Sequence, residues 1–292
     1  MDGRQKRDNK VQRHLIRIRT LGEPSVEDGN RNVIDCLVKR PKCFALLTYL
    51  ALNPERTFHQ RDSLLAMFWP GSSSEDSRNC LRQSLHVLRQ SLGPDVVISK
   101  GRNLIAVEPH LLTSDIADFL GALGTNRLKD ALALYRGDFL EGLFVSDAPE
   151  FELWVDRHRH SLRGRAAEAV RCLAEEAERS GNHGDARRWW SRLEGLSPFS
   201  EEAIRQVIQN HLRLGNQMDA VQTSMRLIRR LAAEADHPLA PETVRLIESV
   251  FSKTDEIRGQ HKLPGWRGVG QAHSVEPQHA RTEDKTPRDS RQ

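Results

Sequence analysis

Between Ser77 and Gly93 the chain carries Arg78, Asn79, Arg82, Gln83, His86, Arg89 and Gln90, and a little further on comes the run Lys100-Gly101-Arg102-Asn103. From Arg78 to Arg102 the only carboxylate is Asp95. These groups donate hydrogen bonds and positive charge; they do not form a nucleophile and base. Arginine makes paired hydrogen bonds to guanine O6 and N7, and asparagine or glutamine does the same to adenine. Further cations neutralise phosphates and make binding salt-dependent. The chemistry is recognition of a polyanion, and duplex DNA uses every group in the set. Arg82, Gln83 and His86 are the best base-reading candidates, with Asn79 on the same side and Arg78 near enough to reach bases or backbone. Arg89, Lys100, Arg102 and Asn103 are candidates for the backbone or a minor groove, and His59 and Gln60 for phosphate. For any one residue the competing explanation is a solvated side chain on a surface helix. For the set that explanation is weaker, because a helix-turn-helix pattern precedes it.

The elements that must position these groups are readable from periodicity. Leu81, Leu85, Leu88 and Leu92 recur at four, three and four residues and predict the buried seam of one helix. Ser74 is its predicted N-cap, Glu75 and Asp76 suit the positive end of its dipole, and Gly93-Pro94 ends it. Val96 to Val107 reads as strand, turn and strand. Upstream, Arg40-Pro41 opens a helix with Phe44, Leu47 and Leu50 on its apolar side, closed by Asn53-Pro54. A second helix starts near Thr57, its better cap candidate, with His59 a weaker one. Leu64, Leu65 and Phe68 pack that helix, and Trp69, read as a core residue, leads into its end at Pro70-Gly71. In front, Leu15 to Leu21, Val26, and Val33 to Cys36 predict a small antiparallel sheet. Together these make one domain over residues 14–108: a winged helix-turn-helix.

Residues 109–255 read as almost wholly helical, with breaks at Gly181-Asn182-His183-Gly184, Ser197-Pro198, Gly215-Asn216 and Asp236-His237-Pro238. Long helices joined by tight turns predict stacked pairs. Gly181 and Gly215 lie 34 residues apart, the tetratricopeptide period. Trp154 fits a buried seam, whereas the adjacent Trp189 and Trp190 cannot both face one layer. Residues 1–13 form a basic tail and 256–292 a second tail without an apolar pattern, both expected to be disordered. The fold class is therefore mainly α with a small α+β domain: a winged helix-turn-helix followed by a tetratricopeptide-like helical array.

The net charge is only +4, so local basic surfaces matter more than the whole-chain field. Cys36, Cys43, Cys80 and Cys172 show neither CxxC nor zinc-finger spacing and read as reduced, mostly structural thiols of a cytoplasmic protein. There is no GxGxxG, no phosphate-binding Gly-Lys-Ser/Thr loop, no HExxH and no GxSxG. Glu175, Glu176 and Glu178 lie on a polar helix surface, and His158 and His160 point to different sides. No enzyme activity, cofactor or metal is expected, nor any membrane span or signal peptide.

The stretches Leu46-Leu47-Thr48-Tyr49-Leu50-Ala51-Leu52-Asn53-Pro54, Asp62-Ser63-Leu64-Leu65-Ala66-Met67-Phe68-Trp69-Pro70 and Asn79 to Arg89 resemble the winged-helix domain of OmpR-type response regulators. Ala133 to Gly142, Phe151-Glu152-Leu153-Trp154-Val155 and Pro241-Glu242-Thr243 resemble the bacterial transcriptional activator domain. The pair, over roughly residues 14 to 252, is similar to the Streptomyces antibiotic regulatory protein family. That resemblance implies a winged domain binding direct repeats in promoter DNA. It also implies a helical domain that mediates homodimers and activation, in some members near RNA polymerase. It puts Arg82, Gln83 and His86 on the recognition helix and Lys100 to Asn103 at the wing tip. Asn103-Leu104 departs from the Gly-Tyr or similar aromatic that enters the last wing strand in relatives. The function expected is sequence-specific transcriptional regulation; the alternative is a protein-interaction adaptor that works through the helical array.

Overall fold

A computed structural model describes residues 15–52, 58–197, 200–233 and 239–258. The tail over 1–13, Thr57 and almost all of the tail from 256 lie outside the described residues. In chain order the elements are β1 (Ile16–Arg19), β2 (Ser25–Glu27), α1 (Asp35–Val38), α2 (Pro41–Leu52), β3 (His59–Gln60), α3 (Arg61–Phe68), α4 (Ser74–Leu92), β4 (Val97–Lys100), β5 (Leu104–Val107) and β6 (Leu112–Ser114). The helices α5 (Asp115–Gly124), α6 (Leu128–Leu134), α7 (Pro149–Arg179), α8 (His183–Leu196), α9 (Glu201–Arg213), α10 (Gln217–Ala233) and α11 (Pro241–Arg258) follow. A mixed α/β region thus precedes a long helical array. Among the described residues no helix is long and apolar enough to cross a membrane.

The front sheet differs from the antiparallel one expected. β1 pairs antiparallel with β2, setting Ile18 opposite Val26. Its other neighbour is β6, in parallel, with Ile16 beside Leu112. Val33 makes only an isolated bridge to Glu27, and Cys36 falls within α1. A tight turn explains this: the Asp28 carboxylate accepts from the Asn30 and Asn32 backbone N–H groups and from the Asn32 amide. The chain leaves that turn after one ladder contact. The third strand is β6, on the other edge of β1, where a buried carboxylate ties it to the end of that strand. Asp115 accepts from the Thr20 N–H, the Thr20 hydroxyl and the Leu21 N–H, each near 2.9 Å, with Arg136 3.7 Å away. Ser114 caps α5 through the Ala117 N–H, so one dipeptide starts a helix and latches the chain's first strand.

The segment after β1 docks on residues 137–141. The Gly22 N–H donates to the Asp138 carbonyl and the Leu140 N–H to the Thr20 carbonyl. Gly22 has φ +100, and a Cβ there would meet the Gly137 nitrogen at 3.3 Å, so glycine is required by both conformation and close approach.

The second sheet runs β3-β5-β4, antiparallel throughout. Val97 faces Val107 and Lys100 faces Leu104 across a hairpin whose tip includes Gly101 at φ +63. Around it α2, α3 and α4 bury Phe44, Leu47, Leu64, Phe68 and the predicted seam of Leu81, Leu85, Leu88 and Leu92. Trp69 is buried as expected.

One apolar core continues from Ile16 to Val207, across residue 108. Its bridge is aromatic. Phe151 and Trp154, on the first turns of α7, meet Phe68 at 5.0 Å and Tyr49 at 5.2 Å. A smaller cluster of Ile204, Ile208, Ala220, Val221, Leu227, Ile247 and Val250 joins α9, α10 and α11. The turns after α7 and α9 are closed alike. Gly181 and Gly215 have φ +71 and +74, and the next residues, Asn182 and Asn216, donate back five residues to Ala177 and His211 carbonyls, each at 2.8 Å. Of the tryptophan pair, Trp190 is buried and Trp189 half-buried.

Candidate nucleic-acid interface

α4 is the longest helix of the first region and starts one residue earlier in its capping than expected. Ser73, not Ser74, accepts the Asp76 N–H, at 3.2 Å. Its leucine seam packs inward, which leaves the opposite arc to solvent. Arg78, Arg82 and His86 are exposed at intervals of four, so they form one stripe along the axis. Asn79 is half-buried next to that stripe. Gln83 is exposed about 100° round the helix from Arg82, where it lines a pocket with Trp69 and Phe144. Arg82 and His86 are therefore brought together, and Gln83, four residues from Asn79 and three from His86, adjoins them on the side that faces the pocket.

Arg89 is half-buried, and its guanidinium braces the hairpin. Nε donates to the Val97 carbonyl and Nη2 to the Ser99 hydroxyl, both at 2.9 Å. This couples the angle of the hairpin to the helix. At the tip Lys100, Arg102 and Asn103 are exposed, with the Lys100 ammonium 5.6 Å from the Phe58 ring centre.

His59 is corrected by the structure. It is a buried strand residue, paired with Ile105 and packed against the Tyr49 ring at 5.3 Å, so it neither caps α3 nor faces a phosphate. Gln60 is the N-cap residue but makes no side-chain capping bond.

The residue that sequence reasoning passed over is Arg61. Its backbone N–H donates to the Asn103 carbonyl at 2.8 Å, which docks the start of α3 on the hairpin. Its Nε is buried without a hydrogen-bond partner. Burial, followed by the charges of Arg89 and Arg82, pushes its guanidinium below the usual arginine range. Arg61 thus feels the like charges of Arg82 and Arg89 and forms a basic group with them where the start of α3 docks on the hairpin. Such a cluster is self-repelling and holds an unsatisfied donor, and an anion relieves both. The only prior signal was its position at a helix start. The pairing of β3 with β5, which carries Arg61 to the site, has no local signature in two residues.

Among the described residues no group of three or more His, Cys, Asp or Glu side chains could hold a metal ion.

Comparison with known proteins bears on the second region first. Residues 122–251 match the family model described as the bacterial transcriptional activator domain. The fold as a whole is similar to a solved structure of Mycobacterium tuberculosis EmbR in complex with a low-affinity phosphopeptide, at a TM-score of 0.57 and 19% sequence identity. The similarity covers 82% of this chain and 65% of that one, so the chain spans just under two thirds of the length of EmbR in that structure. No curated protein matches the sequence.

Proposed function

We propose that the chain is a sequence-specific, double-stranded DNA-binding transcriptional regulator, an activator acting on direct repeats in promoters. The observation that carries this reading is the exposed stripe of Arg78, Arg82 and His86 on α4, with Arg89 bracing a hairpin whose tip exposes Lys100, Arg102 and Asn103. In this reading residues 14–108 form a winged helix-turn-helix. Arg82 and His86 read base edges, with Arg78 and Asn79 beside them, and Gln83 reads from the adjoining pocket side. Arg61, Lys100, Arg102 and Asn103 hold the backbone, and Arg89 sets the wing angle. The helical array, tetratricopeptide-like in its repeated turns, serves homodimer formation on DNA and contact with RNA polymerase. The match of residues 122–251 to the bacterial transcriptional activator domain supports a role in transcriptional regulation.

The test is selection of bound sites from random duplexes, followed by affinity measurements across salt. Arg82→Ala should lose about 1–3 kcal/mol more on the selected site than on random DNA. Arg61→Ala and Lys100→Ala should weaken both DNAs alike and lower the salt slope by about one each. Equal losses on both DNAs for Arg82→Ala would remove its base-reading role. Failure to enrich any motif would remove the sequence-specific reading.

A protein-interaction adaptor is the second reading. It is favoured by the half-buried Trp189, which lines grooves beside Leu128, Leu173 and Ala177. A chain that binds no duplex, yet holds a protein partner that Trp189→Ala releases, would establish it.

A further inference from the structure

On the flank of α4 turned away from Arg82 lies a pocket of about 460 Å³. Its walls come from four separate parts of the chain: Cys80, Gln83 and Val87 on α4, Arg40 and Lys42 at the start of α2, Trp69 after α3, and Phe144. The volume falls in the range of roughly 300–1,000 Å³ that small-molecule sites occupy. Two features identify its chemistry.

The first is charge. Arg40 and Lys42 line the pocket and no carboxylate does. The described ion pairs all involve other cations. The Lys42 ammonium lies 5.9 Å from the Trp69 ring centre. Both cations flank the start of a twelve-residue helix, whose dipole adds positive potential at the same end.

The second is an apolar surface held open. Phe144 is 69% exposed, although its neighbour Val145 is buried. The connection that carries it is tied down on both sides. The Val145 N–H donates to Glu152 Oε1 at 2.9 Å, and Arg159 donates to the Phe139 and Leu140 carbonyls. A solvent-exposed phenyl ring on this anchored backbone, lining the pocket with Trp69 and Val87, leaves apolar area whose burial is worth about 25 cal/mol per Å².

We propose that this pocket binds a small amphipathic anion: an aromatic or short aliphatic body lying against Trp69, Val87 and Phe144, with one carboxylate- or sulfonate-type group on Arg40 and Lys42. Gln83, a base reader in the proposed function, also lines this pocket, and the readouts below use no DNA, so that failure of the site and failure of the DNA reading are distinguishable.

The pocket contains its own reporter. Cys80 is half-buried in the wall, and Cys36 is exposed on α1. The probe is 8-anilinonaphthalene-1-sulfonate, titrated into the full chain by fluorescence. The rate of iodoacetamide alkylation at each cysteine is read in parallel by peptide mapping. One probe molecule should bind per chain. Saturation should slow Cys80 alkylation at least fivefold and leave Cys36 unchanged, and 2-naphthaleneethanol, a neutral aromatic, should protect far less. Arg40→Glu with Lys42→Glu should weaken probe binding at least tenfold. If that double variant fails to fold, Phe144→Ser, at a solvent-facing position, should weaken binding at least threefold. Probe fluorescence that leaves Cys80 alkylation unchanged would overturn the proposal, as would affinity indifferent to both variants. Cys80 protection that rises with protein concentration in the absence of probe would also overturn it, by making the pocket a contact between two copies.

Discussion

Single side chains in this protein are held by environments that make their behaviour calculable in sign. His211 is buried on α9, with Asp219 3.6 Å from Nδ1 and Arg187, Arg226 and Glu194 around it. Burial pushes its pKa down, partly opposed by Asp219 and reinforced by the two arginines. The folded protein therefore keeps the ring neutral where the unfolded chain takes up a proton, near pH 6.5. The stability this contributes is complete above about pH 6.5 and is lost as the pH falls below it toward the folded pKa. His211→Gln should flatten the pH dependence of the denaturation midpoint below about pH 6.5. An unchanged slope would place the acid sensitivity elsewhere. Asp115 is the opposite kind of buried group, an anion satisfied by three donors from Thr20 and Leu21. Asp115→Ala strands those donors and should cost about 3 kcal/mol in urea unfolding. A loss below about 1 kcal/mol would mean that water takes the carboxylate's place. At this scale the sequence was legible where one helix face collects like residues, as with Arg82 and His86. It was not legible where a residue's role depends on a distant pairing, as with Arg61.

At the scale of elements, periodicity and punctuation located α2, α3, α4 and the hairpin, because an apolar repeat and a Gly-Pro stop are local properties. The short strands were misplaced for the converse reason. β3 has two residues and β6 three, too few to show alternation, and their partners lie far along the chain. Caps fall between these cases. Three consecutive serines, Ser72 to Ser74, each have the right chemistry, and only backbone geometry selects Ser73. That choice is testable by thermal unfolding. Ser73→Ala should cost about 1 kcal/mol and Ser74→Ala a few tenths at most. The reverse order would put the cap at Ser74. The repeated Gly-Asn turns were visible as a 34-residue interval, but their common purpose was not. It resides in two matching backbone hydrogen bonds that close α7 and α9.

Taken whole, the molecule joins its two regions more tightly than a linker would. The core passes from α3 into α7 through Phe68, Phe151 and Trp154, and β6 and Asp115, both beyond residue 108, complete the front sheet. A fragment ending at residue 108 lacks the parallel partner of β1 and the carboxylate that holds Thr20. It should unfold without a cooperative transition, whereas a chain ending at residue 258 should retain one. Calorimetry on the two distinguishes them, and a sharp transition in the short fragment would show that the front sheet is dispensable.

The parallel pairing of β1 with β6 also imposes an order on biosynthesis. Thr20 is synthesised 95 residues before Asp115 and leaves the exit tunnel with the same lead. At roughly 5–20 residues per second, that is an interval of about 5–20 s. During that time β1 has β2 on one side and an open hydrogen-bonding edge on the other, the arrangement that invites pairing with a stray strand. Nascent chains from which β1 has emerged but Asp115 has not are therefore the species in which chaperone occupancy should be greatest, and it should fall once Asp115 has cleared the exit tunnel.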